Sequence, residues 1–477
     1  VAVVDQLSGL DAAFLEAESD TVHLHALGIM RLAAGESPLT PDDLHRVVAG
    51  RLHRLPQLCH RLVTVPAGLD QPYWVEAVPD LADHLHHVVL PGDGSGEFEA
   101  LCAELAERHL DRTRPLWGFW LVDGLAHGGQ AVVMKVHHSV SDGIGGLAIV
   151  GELLDLEPHP PEPPAPAGGE PIDGAGPGTA PTATERRPGP AWLLARAAGH
   201  VVRWPGRAVR AAVELGVAAG RLGGVVRRDP DPERATPLVA PKLASSGRIS
   251  SARSIAFAEL SLERVKAVGR AADARVNDVV LATLAGAVRH WLVGQGDLPD
   301  LPLVAAVPVS TRTAEDLAAP GNHVSACFVH LATHLADPQA RLAATATSSV
   351  LAKEAHAAVG DQVLAHLTAL VMPITVVTTL RLYSGLGLPA LHPPAVNLVV
   401  SNVPGPTVPL YLAGRLVDRM SALGPIFDGS PLNVTAVSYR GVLTFACLAC
   451  PERMPDLQGL ADGLIPAFEE LAGAYGC

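Results

Sequence analysis

The residues of this sequence with the clearest chemical potential lie together in Val136-His137-His138-Ser139-Val140-Ser141-Asp142-Gly143. Histidine titrates near neutrality and can take a proton from a hydroxyl or a thiol. Asp142, four residues after His138, could orient an imidazole or brace the loop. Gly143 would let the backbone take a positive φ before the next helix. A metal site would need a third ligand, and His84, His86 and His87 are remote in sequence with no second ligand motif, so no metal is expected. The sequence has no Gly-x-Ser-x-Gly pentapeptide for a serine hydrolase and no phosphate loop of the Gly-x-x-x-x-Gly-Lys-Ser/Thr type. The bland alternative is a pair of core histidines at a strand end. The Asp-Gly ending at its spacing favours the catalytic one.

Elements are needed to hold these groups. Ala131 to Val136 reads as a short buried strand that delivers both histidines to its end. A polar, glycine-bearing loop follows from His137 to Gly146, and then a helix to about Leu156. Upstream, Thr40-Pro41-Asp42-Asp43 opens a helix with a hydroxyl cap, a proline in the first turn and early acid. That helix should stop before Pro56, and Glu97 to Leu110 should form another. Residues 157–190, rich in Pro, Gly, Ala and Thr, read as a linker at a lobe boundary. Beyond residue 251 the pattern is globular. Helices are expected at 261–272, 277–292, 337–356 and 457–475. Strands are expected at 303–309 and 395–400, with a hairpin at 432–450 turning at Arg440-Gly441. The division this suggests is 1–156, 157–190, 191–250 and 251–477, in an α/β protein.

The chain's 477 residues, 48% hydrophobic and 18% charged, can build a large core and are not disordered overall. A net charge of −14 argues against a nucleic-acid partner. Six cysteines are too few for a disulfide scaffold, and no signal peptide is apparent at the start, so free thiols in a cytoplasm are expected. Cys447 and Cys450 form a Cys-x-x-Cys pair inside a strand-like run, with no second pair for zinc. The longest apolar stretch, Val363 to Leu380, contains His366, Pro373 and four threonines, and reads as a buried helix near a cavity rather than a membrane span.

Residues 191–228 contrast with the acidic whole. They hold seven arginines and one glutamate, a local charge of +6. At about 100° per residue, Arg196, Arg203, Arg207, Arg210, Arg221 and Arg228 fall within about 60° of one another. The valines and Trp192 and Trp204 lie largely elsewhere. That pattern suits an interfacial helix on an anionic membrane surface, with Trp192 and Trp204 as candidate anchors. The competing expectation is a packed helix pair with a solvated arginine face, divided at Pro205.

The His-His-x-x-x-Asp-Gly run resembles the signature of the bacterial wax ester synthase/diacylglycerol acyltransferase family, within the CoA-dependent acyltransferase superfamily. Other stretches narrow the resemblance to that family: Leu7-Ser8-Gly9-Leu10-Asp11-Ala12-Ala13-Phe14-Leu15, Pro115-Leu116-Trp117, Asn277-Asp278, Pro308-Val309-Ser310-Thr311-Arg312, and Ser401-Asn402-Val403-Pro404-Gly405-Pro406. They occur in the family's order and cover nearly the whole chain outside 157–250.

The resemblance implies two lobes like chloramphenicol acetyltransferase with a tunnel between them. It implies an O-acyltransferase that takes acyl-CoA as co-substrate, holds no permanent cofactor, and acylates diacylglycerol or a long-chain alcohol at a membrane or lipid droplet, peripherally and from the cytoplasmic side. His138 would be the general base, acting without an acyl-enzyme, with His137 beside it. Asp142 would be structural, turned from the base and paired with an arginine, for which Arg312 is the candidate. Gly143 would permit the turn. Asn277 would cap a helix, with Asp278 favouring its dipole, or act at the site. Ser401 and Asn402 would hydrogen-bond a developing oxyanion or form a turn. Pro115, Leu116 and Trp117 would pack near the channel. The chain departs from the family at Cys447-Leu448-Ala449-Cys450-Pro451, where an acidic residue is common, so a role carried there is in doubt. Two other functions remain open: acyl transfer from a carrier-bound donor, and a non-catalytic lipid-body coat.

Overall fold

The computed structural model describes residues 3–35, 37–92, 94, 96–159, 188–228, 231–235, 239–312, 321–359 and 392–477. The apolar stretch 363–380 and most of the 157–190 linker lie outside them.

Two six-stranded sheets carry the molecule. The first has the order β12-β13-β2-β7-β6-β5. Here β2 is His25–Leu32, β5 Leu85–Val89, β6 Trp117–Leu125, β7 Gly129–His137, β12 Tyr411–Leu412 and β13 Arg415–Leu423. The second has the order β10-β9-β11-β14-β15-β8. Its strands are β8 Ser254–Ser261, β9 Leu303–Ser310, β10 Val324–Leu331, β11 Leu398–Pro404, β14 Leu432–Tyr439 and β15 Val442–Ala449. A small third sheet joins β1 Val3–Gln6, β3 His60–Val63 and β4 Tyr73–Glu76.

The strand that presents the histidines is central to its sheet. β7 pairs antiparallel with β2, opposing His137 to His25, and with β6, opposing Val136 to Trp117. Its side chains are buried on both faces, so the sequence is apolar with little alternation. One face packs into a cluster with Leu7, Leu15, Leu116, Trp117 and Val140. The other packs into a cluster with Phe98, Cys102 and Leu105 that also takes in Ile255, Ala446 and Leu448 from the second sheet. This shared core fastens the two lobes together.

The helices follow their capping chemistry. α1 is Gly9–Ala17, capped by Ser8, whose hydroxyl accepts from the Asp11 amide at 3.1 Å. α2, Pro41–Arg51, has the expected hydroxyl cap at Thr40, and Asp43 completes a capping box, each accepting the other's amide. α3 is Glu97–Glu107, and α4, Gly143–Leu153, follows the histidine loop. α5 runs unbroken from Pro190 to Arg228, with Pro205 inside it. α6 (Leu262–Ala271), α7 (Val276–Gln295) and α8 (Pro338–Val359) back the second sheet.

Several expectations change. The linear division at 251 does not describe the sheets, because Tyr411–Leu423 leaves the C-terminal region and completes the first sheet by pairing with β2. The terminal helix is two pieces, α9 Leu457–Asp462 and α10 Leu464–Ala474, broken at Gly463. β11 does not end at Val400. It continues through Ser401 and Asn402 to Pro404, because parallel pairing with β14 supplies partners along its length. Gly405 extends the contact by donating to the Ser438 carbonyl at 2.9 Å, and a Cβ there would sit 2.3 Å from that oxygen. The separate helix pieces expected around Pro205 are one helix.

Candidate active site

The loop after β7 turns sharply at His137. The His137 ring accepts the Ser139 amide at Nδ1, 3.0 Å away, and the ring is almost wholly buried. Its Nε2 lies 3.6 Å from the Glu18 carboxylate, a charge contact beyond hydrogen-bond range. An Nδ1 that accepts leaves the proton on Nε2, facing Glu18. Both His137 nitrogens therefore look into the protein framework.

His138 has the opposite environment. The residue is half-buried, yet both its ring nitrogens are sealed from bulk water and neither has a hydrogen-bond partner among the described residues. Phe14 of α1 stacks on the ring with centroids 5.3 Å apart. Burial, and then the neighbouring His137, push the His138 pKa down to about 4, with Asp142 pulling weakly the other way. At neutral pH this imidazole is uncharged with one lone pair open, the state a general base requires.

Asp142 is fully engaged. It caps α4 by accepting the Gly145 amide at 2.8 Å, and accepts the His323 amide at 2.9 Å. Arg312, whose side chain is 1% exposed, reaches it through Nε at 3.1 Å and Nη2 at 3.0 Å. Arg312 also donates to the Gly321 carbonyl at 2.7 Å. The Asp142 carboxylate is thus a junction between the lobes. The expected role for Gly143 is corrected. It is the first residue of α4, its φ is not positive, and a Cβ there would meet nothing. The glycine the packing needs is Gly145, where a Cβ would lie 2.2 Å from Ser141 Oγ and 3.1 Å from Arg312 Nη2.

The remaining motif residues fall into two groups. Pro115, Leu116 and Trp117 are buried beneath the loop. The Leu116 carbonyl accepts the His137 amide at 3.0 Å, and the Trp117 indole donates to the Leu58 carbonyl at 2.7 Å while stacking on His84. Asn277 and Asn402 meet, the Asn402 amide donating to Asn277 Oδ1 at 3.2 Å. Asn277 is not the N-cap of α7. That position is Arg275, whose amide donates to Asp278 at 3.1 Å, so Asp278 does the capping. Ser401 lies beside Asn402 within β11.

Comparison with known proteins places the whole chain. The wax ester synthase/diacylglycerol acyltransferase catalytic domain matches residues 7–280, and the WS/DGAT C-terminal domain matches residues 320–472. The chain belongs to the wax ester synthase/diacylglycerol acyltransferase family. It is an acyltransferase, with the family's mixed α/β fold. A Mycobacterium tuberculosis relative named as a diacylglycerol O-acyltransferase is 32% identical over 477 residues, spanning 98% of this chain and 90% of its own. A Mycobacterium bovis relative of the same naming is 33% identical over 482 residues, with the same coverage. The solved wax ester synthase/diacylglycerol acyltransferase of Marinobacter aquaeolei VT8 superposes with a TM-score of 0.67 at 26% identity, covering 99% of this chain and 100% of that one. A condensation domain of the calcium-dependent antibiotic synthetase shares the fold, with a TM-score of 0.59 at 21% identity over 99% and 97% of the two chains.

Within this family member, the loop has partners that the sequence did not single out. Asn322 donates one amide hydrogen to Asp11 at 2.6 Å and the other to the His138 carbonyl. Gly321 has φ +87°, and a Cβ there would press on Asp11 at 3.1 Å. The Gly-Asn-His run at 321–323 resembles an ordinary turn. Its positive-φ glycine is the sole sequence hint, and only the fold brings it to a loop about 180 residues earlier.

α5 leaves much apolar surface outside. Leu194, Val201, Val202, Val209, Val213 and Val217 are exposed, Val202 by 80% and Val209 by 66%. Arg203, Arg207 and Arg210 are exposed alongside. Leu193 and Ala197 instead pack on Val65 and Tyr73, and His200 bonds Asp70 at 2.6 Å. Trp192 is not clear of the arginines. It lies edge-on to Tyr73 with Arg196 over its ring at 5.2 Å, and both it and Trp204 are exposed. No helix among the described residues is long and apolar enough to cross a membrane. No group of three or more His, Cys, Asp or Glu among them is placed to hold a metal ion.

Proposed function

We propose that this acyltransferase moves a long acyl chain from acyl-CoA to the free hydroxyl of diacylglycerol, giving triacylglycerol, with a fatty alcohol as the other acceptor and wax ester as the other product. The acceptor oxygen attacks the thioester carbonyl while His138 takes its proton. The tetrahedral intermediate collapses, the carbon–sulfur bond breaks, and the CoA sulfur leaves with the proton from His138. No acyl-enzyme forms, and the reaction as written needs neither a metal nor a permanent cofactor. The observation that carries this reading is the neutral, sealed His138 imidazole with neither nitrogen hydrogen-bonded among the described residues, on a loop whose Asp142 carboxylate is tied to Arg312 and His323. The Asn402–Asn277 pair and Ser401 are the candidates for steadying the oxyanion.

α5 supports a peripheral place on an anionic membrane face or lipid droplet, on the cytoplasmic side. Its exposed valines offer apolar area, and the adjacent arginines complement lipid phosphate. The condensation-domain likeness concerns fold alone, so a carrier-bound donor is an outcome for the test.

The test is release of free thiol from palmitoyl-CoA with diacylglycerol, with hexadecanol, and with neither, beside a phosphopantetheine-carrier donor, together with liposome flotation. Thiol release that needs a lipid alcohol supports the reading. Transfer only from the carrier donor, or flotation without thiol release, overturns it.

A further inference from the structure

The N-terminal run Leu7-Ser8-Gly9-Leu10-Asp11-Ala12-Ala13-Phe14-Leu15 has no chemistry of its own in the reaction above, yet its helix lies directly against the histidine loop. Asp11, Phe14 and Glu18 are spaced by three and four residues, which places them on one helical face. Each meets a different part of the His137-His138 pair. We propose that this face is a positioning device for the general base: Asp11 fixes the main chain of His138 through Asn322, Phe14 fixes its ring, and Glu18 fixes the ring of His137.

Asp11 is buried, and its carboxylate accepts three hydrogen bonds. The Ser8 hydroxyl donates at 2.7 Å to Oδ2, and the Asn322 amide N–H and side chain donate at 3.0 and 2.6 Å to Oδ1. The Asn322 side chain spends its second hydrogen on the His138 carbonyl. The His138 peptide is therefore gripped from both sides, since its amide donates to the Leu24 carbonyl at 2.9 Å. Burial raises the Asp11 pKa, and the hydrogen bonds from Asn322 and Ser8 oppose that rise.

Phe14 covers the ring rather than the backbone. Stacking at 5.3 Å with planes 26° apart leaves the ring edge, where both nitrogens lie, uncovered by this contact. A ring can be held this way without a hydrogen bond, so neither nitrogen is consumed before substrate arrives. Phe14 also supplies part of the burial that keeps the imidazole neutral.

Glu18 follows the last turn of α1, its side chain 4% exposed. It is held ionised by more than His137. Burial alone would raise its carboxyl, but His137 and Arg112 together draw it far below the ordinary carboxylate range. Arg112 bonds it at 2.8 Å, His109 approaches to 3.3 Å, and the Leu24 amide donates at 3.4 Å. A fixed anion at the Nε2 edge of His137 favours the proton there, leaving Nδ1 free to accept the Ser139 amide that shapes the turn.

This inference rests on His138 as the base, so His138→Ala is measured beside the α1 variants. The assay is palmitoyl-CoA and diacylglycerol turnover across pH, with a thermal melt for each variant. Phe14→Ala should lower kcat by about 10-fold with KM for palmitoyl-CoA within about 2-fold, as expected for a displaced reacting group. Its acid limb in kcat/KM should move upward toward the ordinary imidazole value as water reaches the ring, and Phe14→Tyr should restore both. Asp11→Ala and Glu18→Ala should lower kcat by about 3- to 10-fold. If Phe14→Ala melts too low to assay, Phe14→Leu fills the volume without a ring and must still lower kcat. The proposal is overturned if Phe14→Ala or Phe14→Leu keeps kcat and acid limb of the parent while His138→Ala is inactive. An active His138→Ala overturns instead the assignment of the base.

Discussion

The loop at 137–143 and helix α5 both stand out in the sequence, and the fold treats them in opposite ways. In the loop nearly every polar group is matched. Asp142 accepts from Gly145, His323 and Arg312, and the His138 peptide is held at its amide and its carbonyl. Two are left without a hydrogen bond: His137 Nε2, which faces the Glu18 carboxylate at 3.6 Å, and the His138 imidazole, with no partner at either nitrogen among the described residues. In α5 the inner side chains Leu193 and Ala197 are packed, while a row of valines and arginines faces outward. The contrast separates two kinds of functional signal. An unpartnered polar group inside a satisfied framework marks a place where a substrate atom completes the set. Exposed apolar area beside one sign of charge marks a surface that is completed by something larger.

The sharpest way to break the contrast is to remove the His138 imidazole. His138→Ala should cut turnover by ~10²–10⁴-fold and leave flotation on anionic liposomes unchanged, measured on the same preparation. Arg312→Ala attacks the framework instead. It strips the buried Asp142 carboxylate of its charged partner and should destabilise the fold by about 3–5 kcal/mol in a denaturant melt, with activity falling as the loop loosens. A variant of parental stability would mean the junction contributes little. Arg203→Gln with Arg210→Gln probes the other region. At about 1 kcal/mol per arginine near an anionic surface, liposome affinity should drop about 10- to 30-fold, while the melting temperature and turnover of detergent-dispersed substrate stay near the parent's.

The smallest effect concerns pH. Burial, followed by the charges of Arg253 and His109, lowers the His23 pKa to about 4, burial and then Lys135 hold His25 well below the usual range, and His138 is at about 4. All three bind protons more readily unfolded, where the pKa is ~6.5. Their stabilising contribution is full above that value and is lost as pH falls from about 6.5 toward 4. The Asp11 pKa, raised by burial, works against this trend. The melting temperature should therefore fall by a few degrees between pH 7 and pH 5. A melting temperature that rises over that interval would contradict the burial of these rings.

Much of the local structure was legible because local chemistry sets it. The hydroxyl cap at Thr40, the buried run of β7, and the hairpin turning at Arg440-Gly441 follow from short-range pattern, and each is found. Pro205 suggested a break in the arginine-bearing segment that α5 does not make. What stayed hidden depends on distant pairing. Tyr411–Leu423 looks like any C-terminal strand until β2 offers it an edge. The histidine loop was plain in sequence, and so was Arg312 as a candidate partner for Asp142. Asn322 and His323 were not, because a side-chain amide and a main-chain N–H leave no pattern to read. Gly143 and Asn277 show the converse. Their residue types suggested a positive φ and a helix cap, but Gly145 and Asp278 occupy the positions where packing and capping act.

In the proposed reaction a sealed, neutral imidazole at His138 takes the proton of the acceptor hydroxyl. The pH dependence of kcat/KM for palmitoyl-CoA transfer to diacylglycerol tests it directly, because that parameter reports the free enzyme's ionisations. With protein shown to survive each pH, the acid limb should lie well below the ordinary imidazole value, near pH 4, and should vanish from the residual activity of His138→Ala. An acid limb at or above about 6.5, or one unchanged in His138→Ala, would contradict it.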